Sequence, residues 1–594
     1  MSHGIFIRLD GGHASGVGIS EAQDKDSVLF QEEHDKQCSV CAHLSEHDTE
    51  IIVSSLKTSA DDGCPCCSTL IHIFEHFEED GRRLIDIAAD EACYTQAYPG
   101  KNDGNKLHRH AVELSIPALN IIVGLSVAPD HEDCGLHPEL FQPSRILFIG
   151  ETEPAKIFLM ASKTKIPYIA LSYCWGKAQF LKLTTSNLQA CKNGILINSL
   201  PNVFQHAIAI ARGLGVYGIW IDALCIIQDD LGDWEIEASK MANVYQNSVL
   251  VLAMTSAANP DEDCLGGYFN VSIDNINARL IHHPPHTGWP TSNAFPLAKR
   301  GWTFQERLLA PRIVYFGPHE LSWECQTYRN CECGRDSGFE PFINDFNTAL
   351  RRSDPEEVAV LWRALIQQYT TLQFTFESDR LPALSGIVAT IQLSRSGTYL
   401  AGLWSDTLIL DMLWFVDEDE REKPNLSESR LVSPTWSWAS IAVPVTYSTA
   451  KSSFYDLHIE SQVAAFNCEP AGLSMSGRIK SGWVRLESST LFCRQATSSG
   501  VSKFKVIMPG TEKEMGDFEA SLIFDRQPNS PDFKFLMVRM ASWRSIRYEH
   551  DEEQTLLIRP VSVEGNFERI GFAVRGVSHP RLPWPEERSI ITIV

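Results

Sequence analysis

Between residues 168 and 256 the chain alternates short apolar runs with segments of helical spacing, and this alternation limits the possible fold more than any other feature. YIALSY (168–173) is an apolar, aromatic run of the kind expected for a strand buried on both faces. Ser199 and Pro201 mark a helix start, after which Val203, Phe204, Ala207, Ile208, Ile210 and Ala211 recur at helical spacing until Gly213. VYGIWID (216–222) reads as a second strand. Gly232 and Asp233 supply the turn and cap of a second helix, on which Trp234, Ala238, Met241 and Tyr245 form one apolar stripe. SVLVLAMTS (248–256) is a third strand. Strands joined by short helical crossovers predict a parallel, doubly wound α/β sheet. Its functional crevice is expected beyond the carboxyl ends of the strands, where Cys174–Gly176, Asp222–Gln228 and Thr255–Ser256 follow.

At 594 residues the chain is long enough for several folding units. Its composition divides it into a loose start (1–30), a cysteine-containing α-rich region (31–150), the α/β core (151–330), a helical extension (331–440) and a β-rich region (441–594). Hydrophobic residues at 44% and charged residues at 21% place it among globular chains. A net charge of -24 repels phosphate backbones and anionic lipid, which disfavours nucleic acid and membrane surfaces as partners. With no long apolar run and no basic-flanked apolar leader, a cytoplasmic protein is expected. Neither GxGxxG nor GxxxxGK[ST] occurs, so an ordinary dinucleotide oxidoreductase or P-loop NTPase has no support.

Sixteen cysteines in a reducing compartment are core thiols or metal ligands. Cys174, Cys191, Cys225, Cys264 and Cys468 stand in apolar surroundings and read as small buried hydrophobes. Cys38 and Cys41, with Cys64 and Cys67 of GCPCC, have the C-x2-C…C-x2-C pattern of a structural zinc site; the alternative is two helix-start turns that carry cysteines. The histidines of HHPPH (282–286) read as part of a surface loop within a loop-rich insertion at 257–299, and PTWSWAS (434–440) reads as an aromatic strand.

Several residues carry chemistry. Asp222 ends an apolar strand run, where a carboxylate is costly unless hydrogen-bonded, so it needs either a ligand or the amides of its own loop. Gln228 can fix the same ligand or the same loop. Trp175 and Gly176 offer a stacking wall with close backbone approach, or plain core. Arg300, Trp302, Gln305 and Glu306 set charge beside aromatic surface, with Arg300 suited to a buried acid such as Asp222 or to a phosphate.

YIALSYCWG, IWIDALCIIQDDLGDWEIEASKMANVY and RGWTFQERLLAPRIVYF, in that order, closely resemble the three signature blocks of the fungal heterokaryon incompatibility (HET) domain. The cysteine pairs, DRLPALSG (379–386), YLAGLW (399–404) and PTWSWAS resemble the long fungal proteins that carry this domain. The resemblance implies a cytosolic factor of fungal allorecognition and programmed cell death, acting with a protein partner or by self-association. The HET domain is in turn similar to TIR domains, which share a flavodoxin-like parallel sheet and in some cases hydrolyse NAD. That similarity makes Glu237, in Trp-x-x-Glu, the candidate catalytic carboxylate for cleaving NAD, stabilising the oxocarbenium-like centre as nicotinamide leaves. A salt-bridged helix acid is the plainer alternative. Three functions follow: an incompatibility factor, an NAD glycohydrolase, or a metabolic or interaction protein on the same scaffold.

Overall fold

A computed structural model of the chain describes residues 4–9, 50–51, 53–63, 71, 78–79, 82–83, 93–94, 109–115, 141–150, 155–161, 166–264, 270–273, 276–283, 295–317, 321–325, 329–331, 342–416, 433–447, 455–472, 474–496, 503–508, 513–525, 533–545, 552–563, 565–576 and 582–594. Two compact units are present. The first comprises Met1–Asp233, Val244–Ala298 and Ala310–Asn344; the second comprises Trp234–Asn243, Lys299–Leu309 and Asp345–Val594.

The first unit is built on a nine-stranded sheet. In chain order its elements are β1 (Arg145–Phe148), β2 (Lys156–Ala161), β3 (Tyr168–Ser172), β4 (Ile195–Leu196), helix α1 (Asn202–Gly213), β5 (Gly218–Trp220), the two ends of helix α2 (Leu231–Gln246), whose middle, Trp234–Asn243, belongs to the second unit, β6 (Leu250–Ala253), β7 (Arg312–Phe316), β8 (Leu321–Cys325) and β9 (Arg329–Cys331). The strand order is β4-β2-β1-β5-β3-β6-β7-β8-β9. The central pairs β5–β3, β3–β6 and β6–β7 are parallel. The outer pairs are antiparallel, so the sheet is mixed where an all-parallel one was expected. The fold is α/β, and β7 and β8 pair as an antiparallel hairpin after Pro311.

Every residue of β3 and β6 is buried, as parallel strands covered on both faces require. α1 buries Val203, Phe204, Ala207, Ile208 and Ala211, the spacing of one helical face. The valine, phenylalanine and isoleucine side chains each contribute about 1.5–3 kcal/mol on burial. At the end of α2, Tyr168 Oη donates to the Val244 carbonyl at 2.7 Å and Tyr245 Oη to the Leu171 carbonyl at 3.2 Å. The start of α2 differs from expectation. Asp230 Oδ1 accepts the amides of Gly232 and Asp233 at 2.9 and 3.1 Å, so Asp230 is the capping side chain. The 257–299 insertion also holds strands: Asn270–Ile273 and Ile276–His283 join Gly4–Leu9 and Arg109–Ser115 in a four-stranded sheet, which puts His282 and His283 on a strand.

The second unit contains helices α3 (Gly301–Leu309), α4 (Pro355–Thr370) and α5 (Ser385–Gln392) and an eleven-stranded, mainly antiparallel sheet in the β-rich C-terminal region. α4 starts where Asp354 Oδ1 accepts the amides of Glu356 and Glu357, with proline at the first helical position. Gly386 of α5 lies where an added Cβ would come 2.0 Å from Ala242 Cβ, and its amide donates to Gln305 Oε1 at 2.7 Å. Trp362, Trp404, Trp414, Trp436 and Trp438 are all fully buried. The Gly402 carbonyl accepts the indole N–H of both Trp362 and Trp438 at 3.0 Å. PTWSWAS is therefore no strand. Ser437 caps a turn of 3-10 helix at Trp438–Ser440 by accepting the Ala439 amide, and its hydroxyl donates to the Ala401 carbonyl, which rolls the tryptophans inward. Among the described residues no helix is long and apolar enough to cross a membrane.

Candidate functional site

Asp222, two residues past the end of β5, opens a short helical turn, Asp222–Cys225, and lies in the first unit with Trp175, Gly176 and Gln228. Its Oδ1 accepts the Tyr173 hydroxyl at 2.8 Å and the neighbouring Ala223 amide at 2.7 Å. Its Oδ2 accepts the Trp175 indole N–H at 2.8 Å. One carboxylate thus joins the segment after β3 to the segment after β5. Three donors meet the desolvation cost that an acid beside a buried strand incurs.

The loop that follows is braced at each step. Gln228 Nε2 donates to the Asp222 and Ile226 carbonyls at 3.2 and 3.0 Å, while its amide reaches the Leu183 carbonyl at 2.8 Å. Asp233 Oδ2 accepts the Ile227 amide at 2.9 Å and forms an ion pair with Arg145, whose Nε donates to the Cys225 carbonyl at 2.6 Å. Gln228 therefore fixes the loop. Arg145 and the carboxylate of Asp233 are parts of this framework that sequence reading missed, because Arg145 lies far upstream in a strand with no motif.

Trp175 is half-buried and packs edge-on to Phe180 at 5.8 Å, and Phe180 in turn packs on Phe204 at 5.7 Å. Lys182 Nζ sits 4.7 Å from the Trp175 ring centroid and 5.2 Å from that of Phe180. Such a cation over partly exposed rings is worth about 0.5–1 kcal/mol. Gly176 has φ 55, and an added Cβ would lie 2.6 Å from Asn259 Cβ and 2.9 Å from the Ala258 carbonyl oxygen. The close backbone approach at Gly176 is thus made by the chain after β6. Together these features form an aromatic and cationic surface with a carboxylate held behind it, suited to stacking and orientation. Proton abstraction by Asp222 would have to displace three donors.

Glu237, Arg300, Trp302 and Glu306 belong to the second unit. Glu237 is 4% exposed and forms an ion pair with Lys240 Nζ at 3.0 Å, one helical turn on. Trp302 Nε1 donates to Asp379 Oδ2 at 3.3 Å, and Trp302 packs edge-on to Trp234 at 6.5 Å. Arg478 stacks over Trp234 at 5.6 Å and lies 3.6 Å from Asp379. Burial, outweighing the Trp302 and Arg478 contacts, holds the Asp379 carboxyl above its usual value. Residues 300 and 373 pair through their backbones, and Glu306 is buried within α3.

Cys174, Cys191, Cys225 and Cys264 are buried as expected, whereas Cys468 is only partly so. Cys264 Sγ lies 3.3 Å from His206 Nδ1, but burial pushes its thiol up to about 12, leaving it protonated and a poor nucleophile. Cys38, Cys41, Cys64 and Cys67 lie outside the described residues. Among those described, no group of three or more His, Cys, Asp or Glu is placed to hold a metal ion.

The family model described as heterokaryon incompatibility protein (HET) matches residues 168–306, from the start of β3 into α3. No curated protein and no solved structure matches the chain. The matched span contains the Trp175–Asp222 framework, the whole of α2 and Arg300 to Glu306, and over residues 168–306 this chain carries a heterokaryon incompatibility (HET) domain.

Proposed function

We propose that this chain acts in the cytoplasm as a factor of fungal non-self recognition whose engagement by a protein partner, or by another copy of itself, leads to cell death. The family match over residues 168–306 carries this reading, with all three signature blocks present in order. The acidic net charge of -24 supports a protein rather than a nucleic-acid or membrane partner. Inducible expression in a fungal host tests it: growth and viability fall on induction, and a host that grows equally well with and without the protein removes the proposal.

A second reading, cleavage of NAD on a TIR-like scaffold, draws support from the burial of the Glu237 carboxylate, which is 4% exposed. Glu237 would stabilise the ribosyl cation while nicotinamide leaves. Purified protein is then expected to release nicotinamide from NAD, and Glu237→Gln to stop release while the chain stays folded. Undiminished release by that variant removes Glu237 from the reaction.

A further inference from the structure

Arg380, in the DRLPALSG segment of the second unit, is 3% exposed, yet its Nε and Nη2 have no hydrogen-bond partner among the described residues. Among the described residues its contact with an acid is a single long one on the other side of the guanidinium, Nη1 to Glu377 Oε2 at 3.5 Å. Asp379 does not answer the charge, since its carboxylate is engaged by Trp302 and Arg478. The guanidinium carbon lies 5.4 Å from the Phe374 ring centroid and 5.9 Å from that of Trp438. Tyr369 packs on both rings, at 5.4 and 5.9 Å, and its hydroxyl donates to the Arg380 carbonyl at 2.6 Å. Phe374, Trp438 and Tyr369 thus hold the arginine in place.

A buried cation is retained where an anion with matching geometry meets it, and Nε and Nη2 present two parallel N–H bonds that fit two oxygens of one anion. We propose that the Nε/Nη2 edge of Arg380 is a binding site for the carboxylate of a small-molecule ligand. A monoanion balances the one guanidinium. A doubly charged phosphate would add negative charge beside Glu377 and Asp379.

Ligand-observed NMR on the full-length chain tests this, with acetate and inorganic phosphate as probes at equal ionic strength. Wild-type protein broadens the acetate methyl line, and phosphate at the same concentration is broadened less. Arg380→Gln loses the acetate effect. Glu377→Gln, a change at a partly exposed residue that leaves Arg380 in place, binds acetate on the order of threefold more tightly because a nearby negative charge is gone. Should Arg380→Gln fail to fold, the Glu377→Gln shift decides alone. An acetate line unaffected by wild type, an effect retained in Arg380→Gln, equal affinity in Glu377→Gln, or stronger broadening of phosphate would each overturn the proposal.

Discussion

The indole N–H of Trp175 is donated to Asp222 Oδ2 at 2.8 Å, so the ring that follows β3 and the carboxylate that follows β5 form one piece. β3 and β5 are parallel neighbours, which makes this bond a lock across the carboxyl edge of the sheet. Replacing Asp222 by alanine leaves Tyr173, Trp175 and the Ala223 amide without their acceptor. The expected cost is about 2–4 kcal/mol, and asparagine, which keeps one oxygen, is expected to lose about half of that. Urea unfolding measures both. A loss under about 1 kcal/mol for the alanine variant would show that the donors find other partners.

Two glycines are expected to respond in opposite ways. Gly402 has φ 98, and an added Cβ would fall 2.6 Å from Trp438 Nε1, so Gly402→Ala strains the backbone and displaces a buried ring. A destabilisation of about 3 kcal/mol or more follows. Gly213 closes α1 with nothing near the added atom, and Gly213→Ala is expected to be neutral or to stabilise by up to about 1 kcal/mol. Thermal or urea midpoints of the two variants, taken side by side, check the contrast.

The buried acid Asp379 gives a pH signature. Burial holds its carboxyl above the usual value of 3.8, so the fold favours the protonated form. That contribution is fully present below 3.8 and is lost as pH rises through the folded-state value. Asp379→Asn does not titrate there. The stability of wild type relative to this variant is therefore expected to fall as pH rises above 3.8 and through the folded-state value, then level off. A difference that grows with pH would mean that the Arg478 contact outweighs burial.

Much of the first unit was legible because one periodicity sufficed for each element. Pro201 and the Val203–Ala211 spacing give α1 almost to the residue, and the unbroken apolar runs of β3 and β6 mark strands with no face toward water. The flanking strands β1 and β2 were not, since four and six residues with little distinctive pattern do not announce antiparallel edges. Asp233 was read as a cap because it stands near a helix start, whereas Asp230 does the capping and Asp233 pairs with Arg145. PTWSWAS carries strand-forming aromatics, yet the bonds of Ser437 to Ala401 and Ala439 decide its shape, and such partners are invisible in a linear reading. Asp222 was legible as an acid needing partners, but its three donors appear only in three dimensions.

Viability of a fungal host tests the central claim most directly, comparing wild type, Asp222→Ala and Gly213→Ala at matched protein levels. Wild type and Gly213→Ala are expected to depress growth alike, while Asp222→Ala, its lock across β3 and β5 gone, is expected to restore it. Full growth with wild type, or equal killing by a folded Asp222→Ala, would contradict the account.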